Sequence, residues 1–181
     1  GGEYGLQQTL TTTLEANTTY ALSVDIGNIA TGTALSGQTF FLDGLPGYRV
    51  DLLAGDTVVA ADDNSLFGSI GEGEFGTSIV TFNPGASHPQ LGQALGIRLI
   101  NLNQTAGVPA GNDLEVDFDN VRLTATSPAF QEIGDQQVHH SDILVIDLAT
   151  ETADGTPVNY SVEVVGSELW DLDQSYGLHA G

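Results

Sequence analysis

Between Thr18 and Gly27 the side chains alternate without a miss. Tyr20, Leu22, Val24 and Ile26 are apolar, while Ala21, Ser23, Asp25 and Gly27 are small or polar. A period of two gives a strand one buried and one open face, and a helix cannot satisfy it. Phe75–Phe82 is a further strand candidate, the alternation recurs in Leu95–Leu102 and in Leu114–Leu123, and no stretch carries a convincing period of 3.6. Six or seven strands separated by turn residues at near-regular spacing predict an all-β fold, an antiparallel β-sandwich.

The turns predict the connections. Leu6–Leu14 is rich in β-formers, and Glu15-Ala16-Asn17 joins it to Thr18–Gly27 as a first hairpin. Tyr48–Leu53 and Thr57–Ala61 flank Ala54-Gly55-Asp56 as a second. In the closing stretch Leu114, Val116 and Phe118 alternate with Glu115, Asp117 and Asp119, and then the phase slips before Val121 and Leu123. One extra residue near Asp119–Asn120 is what a β-bulge leaves in a sequence. It gathers Asp117, Asp119 and Asn120, hard oxygen donors of the kind calcium prefers. The bland alternative is a solvated strand face.

The run DFDNVRL at 117–123, with LEANTTYALSVDIGN (14–28), GYRVDLLAGDTVVAADDNS (47–65) and LGIRLINLN (95–103), resembles secreted bacterial jelly-roll domains. These are the galactose-binding-like sandwiches that include many carbohydrate-binding modules. The resemblance covers roughly residues 6–124. It implies a jelly-roll-like sandwich over 1–125, a structural calcium near the end of the last strand at Asp117 or Asp119, and sugar binding through exposed aromatics. After a linker at 126–130, the segment 131–181 holds two strand patterns, 143–148 and 158–165. Its Asp154-Gly155-x-Pro157-x-x-Tyr160 is similar to the cadherin-like and immunoglobulin-like repeats of bacterial surface proteins.

Charge narrows the partners. Three Arg, no Lys and 24 acidic residues leave a net charge of −21, which repels nucleic acid and anionic membranes. No apolar run approaches the ~20 residues of a membrane span. Without cysteine, disulfides, thiol catalysis and zinc–thiolate sites are excluded. The chain carries no Met and begins Gly1-Gly2-Glu3, which reads as a processed piece of an extracellular or cell-surface precursor.

No catalytic motif stands out. His88, His139, His140 and His179 lack metalloprotease spacing. Glu72 and Glu74 are a carboxylate pair of the kind any chain with 24 acids contains. For sugar stacking the candidates are Trp170, Tyr48 and Tyr176, with Tyr4 beside them, although Trp170 also suits a buried anchor. Asn17, Asn103 and Asn159 open Asn-x-Ser/Thr sequons, and Asn103 falls in an expected loop.

The sequence thus predicts a non-catalytic extracellular structural subunit. Both halves look short of strands, and strands donated between copies of the chain would complete them and build a homo-oligomer or filament. The alternative is a carbohydrate-binding module recognising a polysaccharide.

Overall fold

The structure is a computed structural model. It describes residues 2–127, and the chain divides into two units, Gly1–Pro128 and Ala129–Gly181. The strand patterns at 143–148 and 158–165, the Asp154–Tyr160 motif, Trp170, Tyr176 and Asn159 lie outside the described residues.

The described residues form nine strands and no helix: β1 (Tyr4–Thr13), β2 (Thr19–Asn28), β3 (Gly32–Thr33), β4 (Thr39–Phe40), β5 (Tyr48–Ala54), β6 (Thr57–Asp63), β7 (Glu74–Phe82), β8 (Ala94–Asn101) and β9 (Asp117–Thr126). All pairings are antiparallel. One sheet runs β1-β8-β5-β6, a second β7-β2-β9, and β3-β4 is a small separate ribbon. The all-β sandwich expected from the alternation is therefore present.

The core lies between the two large sheets. Leu22, Val24 and Ile26 of β2 face Val50 and Leu52 of β5, closed by Tyr20, Tyr48, Val80 and Leu95. β2 is the central strand of its sheet, and β5 and β8 are the interior strands of the other.

The second expected hairpin forms, with Ala54 opposite Thr57 across Gly55-Asp56 and Gly55 at φ 58°. The first does not. β1 pairs with β8, whereas β2 pairs with β7 and β9. The segment between them crosses from one sheet to the other, with Leu14 and Thr18 buried at its two ends. The Tyr20 hydroxyl pins the crossing, accepting from Glu15 N (2.9 Å) and donating to Thr13 O (3.3 Å). Alternation fixes which face of a strand is buried and carries no information about its partner.

The bulge is where the phase slip put it. Asp25 opposes Asp119 and Ser23 opposes Arg122, so Asn120 and Val121 share the single partner Val24. Asn120 takes φ 50°, a left-handed conformation that Asn tolerates better than most residues. The strand starts later than expected, at Asp117 rather than Leu114. Residues 114–116 are extended, but their backbone bonds go elsewhere.

Candidate active site

A cleft of about 690 Å³ opens where the edge strand β1 and its neighbour β8 face the lead-in to β9. Tyr4 and Leu6 project into it from β1, Leu99 and Asn101 from β8, and residues 112–116 with Phe118 form the opposite wall. The register explains the lining. Tyr4 opposes Asn101 and Leu6 opposes Leu99, so all four share the inward face of their sheet. Yet Tyr4 and Leu6 are 54% and 77% exposed. The apolar interior of the sandwich is thus open to solvent at this edge, as expected of a ligand site and not of a finished core.

The lead-in is held by polar bonds rather than by a ladder. Asp113 N donates to Phe41 O (2.8 Å), and Asn112 Nδ2 donates to Asp43 O (3.0 Å). Leu114 O accepts from the Tyr4 hydroxyl (2.7 Å) and from Asn101 Nδ2 (3.0 Å). Asn103 Nδ2 donates to Gly2 O (3.1 Å), fixing the start of β1 beside the cleft. The cleft therefore has an apolar floor (Leu6, Leu99, Val116, Phe118), one polar end (Tyr4, Asn101) and two acidic residues, Asp113 and Glu115, in its lining.

The next polar feature in the same row is a buried tyrosine. Tyr48 sits on β5 opposite Asn101, and its hydroxyl donates to Asp62 (2.7 Å). Asp62 also accepts from Ser65 N (3.0 Å), Ser65 Oγ (2.9 Å) and Ser78 Oγ (2.5 Å). Ser78 lies on β7, so this cluster ties the two sheets together. Burial pushes the Asp62 pKa up, but the bonds from Ser78, Tyr48 and Ser65 outweigh it and leave the carboxyl below its ordinary value. Burial raises the Tyr48 phenol.

The residues singled out from sequence fall as follows. Tyr48 is fully buried, which removes it as a sugar-stacking platform. Asp117 does not line the cleft; it lies across β9 from Phe118, beside Gly27 and Phe75. Asp119 Oδ1 accepts the N–H of Asn120 (2.7 Å). The Asn120 side chain donates to Asp25 (2.8 Å) and accepts from Arg122 (3.2 Å). The hydrogen bonds from Thr77 and from Asn120 hold the Asp25 carboxyl below its usual value. Asp117, Asp119 and Asn120 do not converge on one point as expected, and among the described residues no group of three or more Asp, Glu or His side chains is arranged to hold a metal. Glu72 caps Gly44 N (2.8 Å) and Glu74 lies over Gly71, so the pair braces loops. His88 accepts from Gln90 N and packs edge-on against Phe82. Asn103 is half-buried with its amide committed to Gly2, and Asn17 is half-buried at φ 55°.

The family model of the HpiC1 cyclase, HpiC1-like, matches residues 1–124. The chain belongs to the HpiC1-like cyclase family. Solved structures agree. An apo cyclase from Fischerella sp. is 51% identical over 71% of this chain, with a TM-score of 0.56. The Stig cyclase Fisc from Fischerella sp. TAU, in complex with (3Z)-3-(1-methyl-2-pyrrolidinylidene)-3H-indole, is 54% identical over 70% of the chain, with a TM-score of 0.57. A cyclase from Fischerella sp. TAU bound to 4-(1H-indol-3-yl)butan-2-one is 52% identical over 71%, with a TM-score of 0.56. The present chain spans 58%, 57% and 59% of those three chains. No curated protein matches it.

Membership in the HpiC1-like family corrects the functional reading of the sequence. The chain is neither a galactose-binding-like carbohydrate module followed by a cadherin-like segment, nor a fibril-forming structural subunit, and its family is one of enzymes. The segments behind the earlier resemblance, DFDNVRL above all, are those that build the sandwich, and a sandwich hosts many unrelated activities. The cleft residues carry no motif. Tyr4 stood out only as an exposed aromatic, and Asn101, Asp113 and Glu115 gave no signal.

Proposed function

We propose that this chain is the β-sandwich part of a cyclase that closes a ring on an indole-bearing substrate held in the β1–β8–β9 cleft. The carrying observation is the cleft itself, an exposed apolar interior with one polar end and two acids, in a chain of the HpiC1-like family. Its volume of about 690 Å³ is in the range that takes a small organic molecule. The 4-(1H-indol-3-yl)butan-2-one bound by one Fischerella cyclase supports an indole as the substrate class.

The residues divide the work. Leu6, Leu99, Val116 and Phe118 pack a flat aromatic ring and keep water from a cationic centre. The rings of Tyr4 and Phe118 offer π-faces to that charge. Holding an unsaturated side chain folded against the indole supplies the proximity that ring closure needs. Asp113 and Glu115 are the groups able to give and take back a proton. The test is to incubate the full chain with an indole bearing an unsaturated side chain and follow the cyclised isomer by chromatography. Replacing the proton-transfer group, by Asp113→Asn or Glu115→Gln, is expected to lower turnover by about 10²-fold or more, as loss of a general acid does. Full activity in both variants would remove the two acids from the mechanism.

A further inference from the structure

Asn101 is buried, at 4% exposure, in the row that links Tyr48, Asn101 and Tyr4 across the first sheet. Its amide orientation is fixed from both ends by backbone groups. Oδ1 accepts the N–H of Asn103 (2.7 Å), and an N–H can only donate. Nδ2 faces Leu114 O (3.0 Å), and a carbonyl oxygen can only accept. The other Nδ2 hydrogen points at the Tyr4 oxygen (2.9 Å). Tyr4 has a single proton, and it is committed to Leu114 O (2.7 Å).

These assignments leave the Tyr4 oxygen with no hydrogen to offer and one lone pair unused, at the polar end of the cleft. From this we infer that Asn101 is a positioning residue that makes Tyr4 a fixed hydrogen-bond acceptor, so that the site selects a substrate presenting an N–H. A phenol free to rotate would donate or accept and would not discriminate. An indole N–H is a donor only, which is what the lone pair requires. The inference rests on the proposed use of this cleft as the indole site.

The test compares two probes on the full chain by equilibrium titration. One is 4-(1H-indol-3-yl)butan-2-one. The other is its benzofuran counterpart, in which oxygen replaces the N–H with no added bulk. The chain is expected to prefer the indole by about tenfold, the value of one hydrogen bond. Tyr4→Phe is expected to bring the two affinities within about twofold of each other by lowering indole binding, with benzofuran binding unchanged. Tyr4 is exposed, so this variant keeps the fold. Asn101→Leu is expected to shrink the same ratio, a change that mere loosening of the fold would not produce, because it would weaken both probes together. Equal binding of the two probes by the unaltered chain would overturn the inference and leave the cyclase reading intact. Binding of neither would overturn the cyclase reading and the inference with it. Retention of the tenfold preference in Tyr4→Phe would place the N–H against another group and overturn the inference.

Discussion

Replacing Asp62 by Asn is expected to loosen the seam between the two main sheets. Asp62 of β6 accepts four hydrogen bonds, one at Oδ1 from Ser65 N and three at Oδ2, from Tyr48, Ser65 Oγ and Ser78 of β7. The least costly amide orientation keeps a carbonyl oxygen at the crowded position and sets an N–H against Ser65 N. Three charge-assisted bonds then become neutral, a loss of about 1 kcal/mol each, and the fourth is lost for about 1 kcal/mol more. Asp62 is only half-buried, and halving the sum for solvent screening leaves about 2 kcal/mol. Urea unfolding followed by far-ultraviolet circular dichroism measures this as a midpoint lowered by about 1 M. The pH dependence is a second signature. The folded carboxyl titrates below its unfolded value, so its stabilisation is complete above about pH 4 and is lost as pH falls through the folded pKa. The original and substituted chains are therefore expected to converge in stability below about pH 4. A cost under about 0.5 kcal/mol, or a difference that stays constant down to about pH 3, would refute the reasoning that this cluster holds the sheets together.

Two further substitutions probe the closing strand. Asn120 occupies the left-handed region at the bulge, so Asn120→Val is expected to cost about 1–2 kcal/mol while Asn120→Gly stays within about 0.5 kcal/mol by the same unfolding assay. A methyl on Gly27 would lie 2.7 Å from the Phe75 ring and 2.9 Å from the Asp117 Cβ. Gly27→Val is thus expected to lower the melting temperature by several degrees, about 1–3 kcal/mol of overpacking, and to leave indole binding in the cleft on the other side of the sheet unchanged.

The parts of the fold legible in the sequence are those set by burial on one face. The alternation in β2, the Gly55 hairpin and the slip at Asn120 all mark local requirements that a single strand or turn must meet. Strand partnership was not legible. β1 holds only Leu6 and Leu10 as large apolar residues beyond Tyr4, and its pairing with β8 is decided by residues more than eighty positions away. The site was still less legible, because it arises from that same long-range pairing. Tyr4, Asn101 and Leu114 meet only once β1 has docked on β8 and the lead-in has folded back across both. Leu114, Val116 and Phe118 keep a strand's alternation, yet the first two line a cleft without a ladder, a distinction that side-chain pattern alone does not encode. The resemblance to galactose-binding-like domains followed the sandwich segments and so spoke to fold rather than to chemistry.

The central placement is an indole in the cleft between β1, β8 and the β9 lead-in. The most direct measurement is a structure of the full chain with 4-(1H-indol-3-yl)butan-2-one. The indole ring is expected to pack among Leu6, Leu99, Val116 and Phe118, with its N–H directed at the Tyr4 oxygen. An indole bound on another surface, with this cleft empty, would contradict it.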